Sequence, residues 1–211
     1  MPIINIYSSK NTSINTTRLP AVYNKIDWSR YTHPIDNWCV VDFGCGRIET
    51  QRLIARELKE HKITQYYPYD PYHKCLVSKK QYNYVAHDPD RNKVIICANV
   101  LNVINDDSIL NNIIAALCNM IVAKDSKGVY RMQPCYISVY EGDKSGIGRL
   151  TKKDCWQRNE QLIFYLTKFN DYIKEKYGHS SNFFTIKYGM IVGVIQHSFK
   201  TKRVKHDNKY I

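Results

Sequence analysis

The chain has few of the features that mark several common protein classes. Its 211 residues include only nine glycines and seven prolines, too few for a collagenous, mucin-like or low-complexity chain. The longest nearly apolar runs, Ile113–Ala123 and Gly189–Ile195, fall well short of the roughly 20 residues that a membrane-spanning helix needs. The opening residues MPIINIYSSK carry no apolar stretch of the kind a secretion signal requires. Seven cysteines, at 39, 45, 75, 97, 118, 135 and 155, are odd in number and form no CxxC pair. That pattern opposes a disulfide framework or a zinc knuckle, and most of these thiols read as small buried hydrophobes of a reducing compartment. His73-Lys-Cys75 could offer two metal ligands but has no second pair, so no metal is expected. The expectation is a soluble, cytoplasmic, single-domain globular protein with no membrane partner.

What the chain has is positive charge. Thirty-one Lys and Arg against nineteen Asp and Glu give +12, and seventeen tyrosines accompany them. A surface of this kind attracts polyanions, which makes DNA or RNA the expected partner; the plainer alternative is a solubilising surface with no partner.

Three regions follow from the pattern. Residues 1–37 are polar and irregular and read as an N-terminal arm or lid, with a short helix around Ala21–Ile26. Residues 38–197 form the main domain, and 198–211 a basic tail. Within the domain, Cys39–Phe43 is a short apolar run that breaks into Gly44-Cys-Gly46, a buried strand ending in a glycine turn. Glu49–His61 carries Leu53, Ile54, Glu57 and Leu58 at helical spacing, and Ile63–Tyr69 is rich in β-branched and aromatic residues, completing a βαβ unit. A third strand is expected at Tyr82–Ala86. Lys93–Ala98 reads as a strand buried on both faces, Asp106–Ala123 as a capped helix and Cys135–Tyr140 as another strand. A long helix over Trp156–Tyr177 and a hairpin of Phe183–Lys187 with Met190–Gln196 close the domain. The implied fold is α/β, a three-layer sandwich around a mostly parallel sheet of seven strands or slightly fewer, ending in an antiparallel hairpin. Crossover handedness puts its ligand site at the carboxyl ends of the strands.

The loop Asp42-Phe-Gly44-Cys-Gly46-Arg47 brings backbone within contact distance of a ligand, as only residues without a Cβ allow. A third glycine and a following GK[ST] are missing, which disfavours phosphate cradling. Asp70 ends the next strand, where a carboxylate can accept hydrogen bonds from two ribose hydroxyls; on its own it would also suit an Asp-Pro turn.

VVDFGCG before a helix, a strand ending in YYPYDP, and then VIICANVLNVI resemble the first motif, the ribose-binding acid and the fourth-strand motif of class I S-adenosylmethionine-dependent methyltransferases. The likeness spans about Trp38–Gln196. The whole chain, through SINTTRLPAVYNK and EGDKSGIGRLTKKDCWQRN, is also similar to small methyltransferase-like proteins of phages and mobile elements. ANVLNVI with SGIGR and WQRN resembles methyltransferase-like proteins found beside DNA phosphorothioation systems.

The resemblance implies S-adenosylmethionine as cofactor. Asp42, Gly44 and Gly46 would wrap its methionine moiety, Asp70 would hold the ribose, and Pro71, Tyr72 and Asp88 would lie beside the adenine. Asn99, Val100 and Leu101 would form the floor between sulfonium and acceptor. ANVL lacks the Pro-Pro-aromatic sequence of amino-methylating DNA enzymes, which argues against standard N6-adenine or N4-cytosine methylation. In the loop Glu141–Asn159, Arg149, Lys152, Lys153 and Arg158 can grip phosphates and Trp156 can stack on a base or anchor the following helix. For the chemical step, Asn99 would orient the nucleophile and Glu141 would accept its proton, with Asn102 and Tyr140 as other nearby groups. The expected activity is methyl transfer to nucleic acid or another anionic, nucleotide-like acceptor. Two alternatives are a non-catalytic nucleotide- or DNA-binding protein of the same fold, and a methyltransferase for a small molecule or a protein.

Overall fold

Alternation within three apolar runs sets the architecture. Cys39, Val41, Ile95, Cys97, Cys135 and Ile137 face one side of a sheet, while Val40, Val94, Ile96 and Tyr136 face the other, and both sides are buried. The computed structural model describes residues 18–33, 36–151, 156–178 and 183–193. Three parallel pairings join β1 (Cys39–Phe43), β2 (Gln65–Tyr69), β3 (Lys93–Ala98) and β6 (Cys135–Ser138). β10 (Met190–Gly193) runs antiparallel to β6, and β9 (Phe184–Lys187) antiparallel to β10. The described strands of this sheet number six, in the order β2-β1-β3-β6-β10-β9. The fold is therefore mixed α/β with a mostly parallel sheet that ends in antiparallel strands.

Four α-helices connect them among the described residues. α1 (Ile48–Glu60) buries Gln51, Ile54 and Leu58 on the face that also holds Val22, Tyr23, Ile26, Trp28 and Tyr31. α2 (Lys79–Ala86), α3 (Asp107–Ile121) and α4 (Leu162–Tyr177) belong with the opposite face. Asp106 caps α3 by accepting from the Ile109 amide, as its position before the apolar period implies. The helix expected near residues 21–26 is a single 3₁₀ turn, Tyr23–Lys25, followed by another at Trp28–Tyr31.

Two expectations are corrected. Tyr82–Ala86 is helix, not strand. Ser78 and Gln81 form a reciprocal capping box, and Tyr82, Val85 and Ala86 bury one side at helical spacing. The polypeptide therefore crosses the sheet before Asp88, which lies in the turn entering β3, its carboxylate 3.5 Å from Arg91 Nε. Asn92 accepts there from the first amide of β1, so Asp88 sits at the amino ends of the strands and cannot lie beside a ligand held at the carboxyl ends. The second correction concerns the last helix, which starts at Leu162, not Trp156. Asn159 adopts a left-handed φ of 57°, and Trp156–Gln157 (β8) pairs with Arg149–Leu150 (β7) in a separate hairpin. Val122–Lys124 (β4) and Tyr130–Met132 (β5) make a further hairpin. Lys152 and Lys153, residues 198–211 of the basic tail, and residues 1–17, 34 and 35 of the N-terminal arm lie outside the described residues.

Lys93 opens β3 yet is fully buried. Its ammonium donates to the carbonyls of Val85 (3.3 Å), Ala86 (2.7 Å) and Asp88 (2.7 Å), at and just beyond the end of α2. Burial lowers its pKa to about 8. Lys93→Met should leave the Ala86 and Asp88 carbonyls without the ammonium and destabilise the protein by about 1–3 kcal/mol in urea unfolding. Equal stability would show that α2 does not need the ammonium.

Candidate functional site

Parallel strands β1, β2 and β3 end side by side, and the loops that leave them enclose a cavity of about 420 Å³. Asp42 and Gly44–Arg47 line it from β1, Asp70–Tyr72 from β2, and Ala98–Val100 with Val103 and Ile104 from β3. Arg18, Leu19, Pro20 and Tyr23 complete the wall from the N-terminal segment. Of the residues singled out in the sequence, Asp42, Gly44, Gly46, Asp70, Pro71, Tyr72, Asn99 and Val100 meet here.

The two glycines serve different ends. Gly44 has φ +78° and lies against Val100, whose Cγ2 would be 2.1 Å from any added Cβ. Its constraint is thus the protein's own β3 loop. Gly46, at φ +72°, has nothing within 4 Å of that position. Here the backbone is bare toward open space, as close approach of a ligand requires. The Gly46 amide donates to Asp70 Oδ2 at 3.0 Å, tying the two loops together. Asp70 Oδ1 accepts from the amides of Tyr72 (2.9 Å) and His73 (3.1 Å), so the carboxylate also organises its own Asp-Pro turn.

Asp42 is 2% exposed. Its Oδ2 accepts from the hydroxyls of Tyr23 (2.7 Å) and Tyr66 (2.8 Å). Burial pushes the carboxyl up to about 6, against the two hydroxyl bonds that lower it, and the Asp70 charge adds to the rise. Both tyrosines are driven well above their usual range, chiefly by burial and then by the Asp42 charge.

Asn99 sits at the rim in a left-handed conformation, φ 57°, its amide donating to Ser138 O at 2.8 Å. Asparagine adopts this geometry more readily than most residues. Leu101 is fully buried in the core and does not line the cavity.

The expected acceptor-binding and proton-accepting residues lie elsewhere. Glu141 Oε1 accepts from the Leu162 amide at the start of α4 (2.7 Å), and Oε2 pairs with Lys144 at 3.3 Å. Arg158 donates through Nε to Ile104 O and through Nη2 to Asp107, both within 2.8 Å, and lies over the Phe164 ring. Arg149 is exposed and faces Asp143 at 3.4 Å, while Trp156 is half-buried in the β7–β8 hairpin. None of these four lines the cavity.

Sequence reasoning missed Arg18, Tyr23 and Gln51. Gln51 is fully buried; its Nε2 donates to Gly46 O (2.7 Å) and Lys74 O (3.0 Å), and its Oε1 accepts from the Leu76 amide (3.0 Å). A polar residue on the apolar stripe of α1 was the available signal. Tyr23 gave none, because its partner stands 19 residues later.

The folded pKa of Asp42 stands above its usual value. Protonated in both states below about pH 4, it costs the fold stability as pH rises from about 4 to 6, because the unfolded chain ionises first. Asp42→Asn keeps the acceptor oxygen without the charge. At pH 7 the variant should be about 1–3 kcal/mol more stable than the parent, the gap closing toward pH 4, as read from denaturant unfolding at several pH values. A less stable variant at pH 7 would show that the ionised form is favoured here. Comparison of the sequence with protein families and with curated proteins finds no match to either.

Proposed function

We propose that this chain is an S-adenosylmethionine-dependent methyltransferase, built on a three-layer α/β sandwich and acting on nucleic acid or another anionic, nucleotide-like acceptor. One observation carries the reading: the bare backbone of Gly46 meets the Asp70 carboxylate on the wall of a cavity at the carboxyl ends of adjoining parallel strands. A carboxylate offers about four acceptor positions, of which Asp70 uses three on backbone amides, leaving Oδ2 free for one further donor such as a ribose hydroxyl. The cavity falls within the usual size range of small-ligand sites.

Bound there, the cofactor would supply an electrophilic methyl group on a sulfonium. The chain's own part would be alignment and dryness. Val100, Val103, Ile104 and Ile113 make an apolar wall that excludes water, and Asn99 offers a side-chain amide at the rim to orient an acceptor. Asp42 and Asp70 place negative charge near a cationic ligand, with Arg18 and Arg47 available to an anionic group. Glu141 stands outside this assignment, because its carboxylate is held at the start of α4.

A second reading, a small-molecule acceptor, is favoured by the same apolar wall and by Leu19 and Pro20 beside it, and by the engagement of Arg158 with the Ile104 carbonyl and Asp107. Calorimetric titration with S-adenosylhomocysteine tests the cofactor. Asp70→Ala should weaken its binding by about 1–3 kcal/mol, and an unchanged affinity would remove Asp70 from the site. Transfer of a tritiated methyl group to DNA and RNA, but not to the small molecules of a lysate, is the outcome expected; the reverse would establish the second reading.

A further inference from the structure

Cys45 and Cys75 come from the two loops that Gly46 and Asp70 join. Cys45 follows β1, its amide donating to Tyr69 O at 3.3 Å, and its side chain is 6% exposed. Cys75 follows β2, and its sulfur accepts from the Asp70 amide at 3.2 Å. Cys75 Sγ lies 3.8 Å from Asp70 O and Cys45 Sγ 3.9 Å from Gly46 O, so both thiols stand where the Gly46 amide joins the two loops through Asp70. Cys75 is partly open to solvent, whereas Cys39, Cys97, Cys118 and Cys135 are buried with no exposure in the core.

We propose that Cys45 and Cys75 form a reversible disulfide across the cavity wall, so that ligand binding in the cavity depends on redox state. The disulfide rests on the two thiols alone, and its effect on an adenosyl ligand rests on the function proposed above. Hydrogen peroxide is an oxidant of the required class. The Cys75 thiolate attacks one peroxide oxygen, an S–O bond forms as O–O breaks, and hydroxide leaves. The Cys45 sulfur then attacks the Cys75 sulfur; S–S forms, S–O breaks, and the departing hydroxide leaves as water with the Cys45 proton. The two thiols lose two electrons and the peroxide gains them.

Reactivity divides between the two sulfurs as this order requires. The neighbouring Cys45 thiol lowers the Cys75 thiol to about 7, which makes it the thiolate near neutral pH. Cys45 is pushed up by burial first and next by the neighbouring Cys75. The other described thiols are raised by burial, Cys39 to about 11 and Cys135 to about 12. A covalent link of roughly 2.05 Å between the sulfurs would lock the two loops to each other where Gly46 meets Asp70.

The test uses the full chain, reduced and then treated with hydrogen peroxide, alkylated with iodoacetamide and mapped by peptide mass. The expected product is a linked Cys45–Cys75 peptide two hydrogens lighter than the dithiol, released by dithiothreitol. Free Cys75, or Cys75 sulfinic acid without a link, would overturn the proposal. In Cys45→Ser, Cys75 should instead take up glutathione from its disulfide; an inert Cys75 in that variant would count equally against it. Oxidised protein should bind S-adenosylhomocysteine at least about tenfold more weakly than reduced protein, a difference of about 1.4 kcal/mol. Equal affinity of the two forms would overturn the redox dependence. Absence of binding in both forms, with the link formed, would instead strike the adenosyl reading and leave the disulfide standing.

Discussion

A carboxylate removed from water must be given hydrogen bonds by the protein, and the placement of Asp42 organises much of this structure around that demand. Its two donors come from opposite directions in the chain, Tyr23 from the segment before the sheet and Tyr66 from the neighbouring strand. Meeting the demand draws residues 18–33 onto the face of the sheet that α1 covers. There Trp28 and Tyr31 pack with Leu58, Ile63 and Tyr136, and the Trp28 indole donates to Tyr23 O at 3.0 Å. The same approach puts Arg18, Leu19 and Pro20 on the cavity wall. Anchoring an acid and closing a cavity are thus one structural event.

The cavity's loops are held by interactions between neighbours, which is why its shape is set without a ligand. Gly44 is pressed against Val100, the Gly46 amide reaches Asp70, and Gln51 grips both loops from below. A side chain at 44 would have to displace the β3 loop, whereas one at 46 would enter open space. The first glycine is a packing requirement and the second a surface left bare.

Much of this was legible in the sequence wherever the signal is local. The runs Cys39–Phe43 and Lys93–Ala98 appear as strands with the expected bounds, α1 follows its apolar period, and α3 follows its period and its Asp106 cap. The loops carrying Asp42, Gly46, Asp70 and Asn99 converge because parallel strands all end on one edge. Other features depended on partners distant in sequence. Tyr82–Ala86 has the aromatic and β-branched content of a strand, but the capping box at Ser78 and the buried spacing of Tyr82, Val85 and Ala86 decided for helix. Lys93 reads as the polar flank of a strand until three carbonyls at and just beyond the end of α2 are seen to accept from it. Glu141 and Arg158 have the chemistry of site residues, yet a helix start and a loop carbonyl claim them first. Chemical type was visible from the residues, and prior engagement was not.

The docking of residues 18–33 bears on how the molecule is made. Tyr31 meets the hydroxyl of Tyr136, 105 positions further on, and Lys25 reaches the carbonyl of Tyr188 across 163. During synthesis this aromatic stretch emerges before the surface that will receive it exists, and it stays wetted until β6 and β10 have left the ribosome. At translation speeds of about 5–20 residues per second, that interval lasts seconds, long enough for chaperones to engage it. The part of the chain translated early is therefore among the last to find its place.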